Sequence, residues 1–245
     1  MKLGEARLPE GLRIYAIGDV HGCDDLLARM HDQIAADLET APSPDHRIIH
    51  LGDLVDRGPD SAGVVERVSR LAREDGRVLA IRGNHEEMLL AFLRDPVGMG
   101  RRWIANSGDS TLANYGVEAA SAIGGTAMLP PISENFARKL PVPHRAFLEA
   151  LPYWYRFGDF IFSHAGIRPG VPMEEQDPHD LVWIREGFLD SDDDFGAVVV
   201  HGHTPARRTE VLPNRINIDT GIIIWGKLTC AVIEGSEVRF LQVER

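Results

Sequence analysis

The chain is poor in cysteine, in long apolar runs and in positive charge. Two cysteines in 245 residues, Cys23 and Cys230, are too few for a disulfide framework and predict two reduced thiols. No apolar stretch approaches the roughly 20 residues that a membrane span needs, and no apolar core of a secretory signal opens the chain. A cytoplasmic protein with no membrane partner is expected. Lys and Arg number 26 against 37 Asp and Glu, a net charge of -11. A polyanion is repelled by that balance, which excludes an extended nucleic-acid track but not a few arginines grouped around one phosphate. Neither a GxGxxG turn nor a Walker A loop is found, so no nucleotide cofactor is implied. Repeats, low-complexity tracts and an interdomain linker are also lacking, which predicts one domain over residues 1–245.

What the chain does have is a hydrophobic fraction of 44%, ample for a core. Arg13–Ile17, Arg47–Leu51 and Arg77–Ile81 read as strands. Helical stripes follow them, first Leu27, Met30, Ile34 and Leu38, then Val64, Val65, Val68 and Leu71, then Met88, Leu89 and Phe92. This βαβαβα series predicts a largely parallel sheet. Pro96–Gly100 reads as a break after the third helix, and Asn106–Gly116 as a loop feeding a short helix. Ala122–Pro131 reads as a flexible connection, and Phe147–Leu151 as the end of another helix. The last hundred residues carry short β-branched and aromatic runs, among them FIFSH, AVVVHGH, RINID, GIIIW and LTCAVI, all read as strands.

Five of these runs end in residues that a buried strand does not need. They are GDVHG (Gly18–Gly22), GDLVDRG (Gly52–Gly58), RGNHE (Arg82–Glu86), SHAG (Ser163–Gly166) and HGHTP (His201–Pro205). One Gly-Asp after a strand is commonly a turn, and His50 and His201 read as ordinary hydrogen-bonded histidines. Five coincident clusters are different, because ligands gather at the carboxyl ends of strands in open α/β sheets. A buried carboxylate is costly alone and acceptable beside a cation. Asp19, His21, Asp53, Asn84, His164 and His203 offer oxygen and imidazole ligands, a mixture suited to Mn, Fe or Zn rather than Ca. Six such side chains exceed one tetrahedral ion. They predict two divalent ions sharing a carboxylate, the clamp used in phosphoester chemistry with ions about 3.5–4 Å apart.

These motifs, in this order, resemble the calcineurin-like metallophosphoesterase superfamily. They are most similar to its phosphoprotein phosphatase branch and the small bacterial and phage enzymes allied to it. NIDTG (Asn217–Gly221) followed by GKLT is similar to the tail of the bacterial members. The resemblance implies an α+β fold, a four-layer α/β/β/α sandwich of two mixed sheets flanked by helices. It assigns Asp19 and His21 to the first ion, Asp53 to both, and Asn84, His164 and His203 to the second. Manganese is the ion expected, with Fe or Zn as alternatives. The resemblance also makes His85 the general acid, held by Asp56, and turns Arg57, Arg82 and Arg185 toward the phosphate. Arg185 rests on the short motif VWIRE.

The activity so implied is phosphomonoester hydrolysis by water activated between the ions. A serine/threonine protein phosphatase acting on phosphorylated proteins or peptides is the first expectation. The alternative is a diadenosine polyphosphate hydrolase. The symmetrical bacterial type differs, typically with Gln at the His21 position and no carboxylate at the Asp56 position, whereas the asymmetrical type keeps motifs much like these. A nuclease ranks third. A metal-binding interaction protein without catalysis is the reading from another class, and the retention of His85, Asp56 and all six ligands argues against it. The segment 98–142 is expected to shape substrate access.

Overall fold

The computed structural model describes residues 1–118 and 125–245. Its first sheet has the order β10-β9-β1-β2-β3, built from β1 (Leu12–Ile17), β2 (Asp45–His50), β3 (Val78–Ala80), β9 (Lys227–Glu234) and β10 (Glu237–Glu244). The three N-terminal strands are parallel, as the βαβαβα pattern predicts, but β9 joins β1 antiparallel and makes the sheet mixed. The second sheet has the order β4-β5-β6-β8-β7. It comprises β4 (Trp154–Phe157), β5 (Phe160–Ser163), β6 (Val198–His201), β7 (Glu210–Val211) and β8 (Arg215–Asn217).

Period-two alternation sorts the strand residues between layers. Ile14 and Ala16 of β1, Phe160 and Phe162 of β5, and Val198 and Val200 of β6 share one core between the two sheets. Tyr15 and Ile17 point the other way, into a core with α1 (Asp24–Thr40), α2 (Ser61–Glu74) and α3 (Asn84–Arg94). Ile161 and Val199 face outward onto Leu181 and Phe188, with α8 (Pro178–Trp183) covering that side. Four layers result, the sandwich that the resemblance implies.

Three expectations are corrected. Pro96–Gly100 does not break the chain but opens α4 (Pro96–Ala105), where Pro96 occupies the first turn and the Asp95 carboxylate accepts from Gly98 N at 3.0 Å. Within Ala122–Pro131, residues 122–124 lie outside the described residues. The rest is helical, a 3₁₀ turn at Thr126–Met128 running into α6 (Leu129–Lys139). GIIIW is not a strand, since α9 (Ile222–Trp225) turns once between two left-handed glycines, Gly221 and Gly226. Two more helices, α5 (Gly108–Asn114) and α7 (Val142–Ala150), complete the cover of the first sheet. Among the described residues, no helix is long and apolar enough to cross a membrane.

Register brings the polar turns together. In the first sheet, Ile17 pairs with His50 and His50 with Ala80, so β1, β2 and β3 stop at one level. In the second, Phe162 pairs with Val200 and His201 with Asn217. The two levels meet, for the His164 ring reaches Leu51 O at 2.8 Å from across the sandwich.

Candidate metal centre

The turns leaving β1, β2 and β6 are strained. Six non-glycine residues among those described have positive φ, and five of them are His21, Asp53, Asp56, Arg57 and His203. Left-handed backbone is costly for such residues and persists where surroundings over-determine it. One brace is Glu86, which is fully buried. Its carboxylate accepts from the backbone N–H of Gly83, Asp53 and Leu54 at 2.8–2.9 Å and of Val55 at 3.3 Å. The motif glycines make the approach possible. A Cβ on Gly83 would lie 2.2 Å from Asp53 Oδ1, and one on Gly202 would lie 2.1 Å from Asp19 Oδ1.

Two sets of ligating atoms converge here, and Asp53 belongs to both. They are His21–Asp53–His85 and Asp53–His164–His203. His21 Nε2 is 3.6 Å from Asp53 Oδ2, and His164 Nε2 is 3.4 Å from Asp53 Oδ1. Asn84 Oδ1 lies 2.9 Å from His164 Nε2 and 2.8 Å from His203 Nδ1. Asp19 accepts from His203 N at 3.2 Å and belongs to neither set, although the resemblance groups it with His21. His85 takes that place beside His21.

Tautomers fit metal ligation. His21 Nδ1–H donates to Val55 O at 3.0 Å and His164 Nδ1–H to Leu51 O at 2.8 Å. Each Nε2 lone pair is thereby turned inward, toward Asp53. The lone pair of His164 Nε2 and the acceptor Asn84 Oδ1 then face each other at 2.9 Å. Two acceptors approach so closely only with a proton or a cation between them. Buried His203 Nε2 has no hydrogen-bond partner.

Electrostatics give the same picture. Burial, reinforced by the charges of Asp219 and Asp53, pushes Asp19 well above the ordinary carboxylate range. Asp219 is raised to about 6, chiefly by burial, and Glu86 is raised by burial and by Asp53. Burial lowers His21 to about 3 and His203 to about 2. Against its burial, His164 is raised to about 10 by the charge and hydrogen bond of Asp53. Asp53 is held well below its usual value despite burial, by His164 and His85. A crowd of carboxylates draws protons wherever it can, and divalent ions replace them.

Beside the first set, His85 Nδ1 lies 2.7 Å from Asp56 Oδ2. Trp103 Nε1–H donates to the same oxygen at 2.8 Å, and Thr111 Oγ1–H donates to Oδ1 at 2.5 Å. Asp56 is thus fixed on both oxygens and fixes the His85 tautomer. Burial opposes protonation of His85, but the charge of Asp53 and the hydrogen bond to Asp56 prevail and raise its pKa. Arg57 spans both imidazoles, Nη1 to His21 Nε2 at 3.2 Å and Nη2 to His85 Nε2 at 3.1 Å. Arg185 is exposed, and its fork meets His203 O at 3.2 Å and Thr204 Oγ1 at 3.4 Å, at the edge of the second set.

Arg82 is placed differently from the expectation that it faces phosphate. Its fork is filled by Glu87 Oε2 at 3.1 Å, Tyr153 OH at 3.2 Å, and the carbonyls of Leu148 and Glu149. Glu86, Trp103, Thr111 and Asp219 were not marked by the motifs as site residues. Glu86 and Asp219 do lie inside quoted motifs, where a charged residue next to a strand end is a usable signal. Trp103 and Thr111 reach Asp56 from 47 and 55 positions away, and no local pattern announces them.

The family model described as Calcineurin-like phosphoesterase matches residues 12–226. The chain is 27% identical over 248 residues to the asymmetrical bis(5′-nucleosyl)-tetraphosphatase PrpE of Halalkalibacterium halodurans, covering 93% of this chain and 92% of that one. It is 29% identical over 232 residues to serine/threonine-protein phosphatase 1 of Salmonella typhimurium, covering 90% and 92%. A crystal structure of a putative diadenosine tetraphosphatase superposes with a TM-score of 0.63 at 21% identity, over 94% of this chain and 93% of that one.

Proposed function

We propose that this chain, which belongs to the calcineurin-like phosphoesterase family, hydrolyses dinucleoside polyphosphates asymmetrically at a two-ion centre. The supporting observation is the pair of ligand sets that share Asp53. His21, Asp53, Asn84, His164 and His203 would hold the ions, with Asp19 behind them. Divalent ions there would neutralise phosphate oxygens and acidify water. The chain's own groups do the rest. Arg57, and Arg185 from the opposite edge, orient phosphate oxygens through guanidinium forks. His85, oriented by Asp56, gives a proton to the departing oxygen. Asymmetrical cleavage of a dinucleoside tetraphosphate breaks one P–O bond of the chain and adds water across it, which leaves a nucleoside monophosphate and a nucleoside triphosphate.

This ranking reverses the first expectation from the motifs, a serine/threonine protein phosphatase. The motifs are shared by both classes. Similarity over nearly the whole length to asymmetrical tetraphosphatases from several bacilli tips the balance. The 29% identity to the Salmonella enzyme keeps phosphoprotein hydrolysis as the second reading. The deciding experiment compares kcat/KM for diadenosine tetraphosphate, a phosphoserine peptide and a phosphotyrosine peptide with added Mn²⁺. Preference for the dinucleotide supports the proposal, and preference for phosphoserine restores the protein phosphatase.

A further inference from the structure

We propose that Arg102, seated on the indole of Trp183, binds the phosphate that neighbours the one being cleaved. The inference deepens the dinucleotide reading and rests on it. The Arg102 guanidinium carbon lies 4.5 Å from the centre of the Trp183 ring. That ring stands edge-on to the imidazole of His203, with centres 5.9 Å apart and planes at 83°. One indole therefore separates the guanidinium from a candidate ligand of the second set. Both partners are also tied to the centre through their own helices. Trp183 ends α8, whose Leu181 packs in the outer core of the second sheet, yet the indole is half-buried against the outer core of the first. Two residues on, Arg185 meets His203 O at 3.2 Å. Arg102 is exposed on α4, and the next residue, Trp103, is fully buried and donates to Asp56. The contact thus links a helix that holds Asp56 to a helix that borders His203.

Charge and geometry select the occupant. The protein carries a net charge of -11, and Arg67, Arg77, Arg168 and Arg239 each grip a carboxylate. Among the described residues, Arg102 forms no ion pair, and the indole is its partner. A guanidinium lying on an aromatic ring uses its flat face and keeps its N–H edge for other groups. A fork held in that way is ordered in advance and matches two phosphate oxygens at once. The reacting phosphate is already served by Arg57 and Arg185, and the fork of Arg82 is filled by protein groups. Arg102 is set back from His203 by the width of the indole, so it meets a second phosphate in the same chain. A simple phosphomonoester does not extend that far, whereas a polyphosphate does.

The test uses the metal-loaded full chain and its Arg102→Ala, Arg102→Lys and Trp183→Leu variants. Methylenediphosphonate and methylphosphonate are the probes, two joined phosphonates against one, and neither is hydrolysed. The Ki of each against aryl phosphate hydrolysis is measured at fixed free Mn²⁺, the Kd of each by calorimetry, and the urea midpoint of each variant alongside. For Arg102→Ala, the ratio of diphosphonate Ki to monophosphonate Ki is expected to rise about tenfold, the size of one charge-assisted contact. The Kd ratio should rise equally, and Arg102→Lys should recover part of the loss. Trp183→Leu removes the seat and should raise the ratio too. An unchanged ratio in Arg102→Ala overturns the proposal even where the urea midpoint falls, because a mere staple between α4 and α8 would give that result. An equal rise in both Ki values also overturns it, since that would put Arg102 on the reacting phosphate. An unchanged ratio in an enzyme that prefers diadenosine tetraphosphate refutes the Arg102 site and leaves the substrate reading intact. A raised ratio in an enzyme that ignores the dinucleotide does the reverse.

Discussion

Two polar regions of this molecule, one half exposed and one buried, are built on opposite terms. Under α1, Arg13 donates to Glu234 at 2.9 Å and to Ala41 O at 2.6 Å, Tyr15 OH donates to Asp37 at 2.6 Å, and Arg239 closes the group on the same carboxylate oxygen at 2.6 Å. Every charge there has an opposite partner. At the strand ends, Asp19, Asp53, Asp56, Glu86 and Asp219 are all buried. The arginine that reaches them, Arg57, binds imidazoles rather than carboxylates. A buried charge without compensation costs several kcal/mol. The first region is self-sufficient, whereas in the second five buried carboxylates outnumber Arg57 and the two imidazoles that Asp53 raises, His85 and His164, a deficit that divalent ions would fill.

Substitutions that break this contrast should do so unequally. Asp53→Asn replaces one of the two oxygens shared between the ligand sets with an amide nitrogen that does not ligate. Turnover should fall at least ~10³-fold, beyond the ~10–100-fold typical of losing an outer partner. In the metal-free protein Asp53→Asn should lower the urea midpoint, because His164 and His85 hold the Asp53 carboxylate, despite its burial, well below its usual pKa. An unchanged midpoint would show that these imidazoles do not compensate it.

His85→Asn should slow hydrolysis of a poor leaving group by about 10²–10³. An aryl phosphate, whose leaving group needs little protonation, should suffer less. Equal losses on both substrates would remove His85 from proton transfer. Glu86→Gln replaces an acceptor-only group that satisfies four backbone N–H groups and should cost about 2–3 kcal/mol in denaturant unfolding. A neutral result would mean that the loop of Asp53 needs no such brace.

The smallest effect is expected in the closed network. Asp37 lies below the ordinary carboxylate pKa, since Arg239, Tyr15 and Arg13 outweigh its burial. Its contribution is therefore complete above the unfolded pKa and is lost as pH falls through the folded value. Asp37→Asn should cost about 1–2 kcal/mol at neutral pH. It should also flatten the decline of the urea midpoint below about pH 4. An unchanged acid limb would show that the network is not the closed unit described.

Much of this was legible in the chain because the relevant signals are local. Strand, turn and helix alternate with clear periods through Ile81, and every candidate ligand lies shortly after a strand, Asp19 and His21 sharing the turn after β1. Convergence of the ligands required register and two sheets packed face to face, which no local pattern states. The failures have physical causes too. Pro96 reads as a breaker although proline favours the first helical turn, and Ile222–Trp225 reads as strand because β-branched residues were weighed without the left-handed glycines around them. Arg82, two residues before Asn84 in sequence, has its fork on Glu87, Tyr153 and two carbonyls, contacts that the motif alone does not state.

The most direct measurement is the number of divalent ions bound per chain after equilibration with Mn²⁺ and removal of the excess, read by elemental mass spectrometry. Two ions in the unmodified protein, and fewer in Asp53→Asn, are expected. A single ion per chain, or the same number in both proteins, would contradict a centre built around one shared carboxylate.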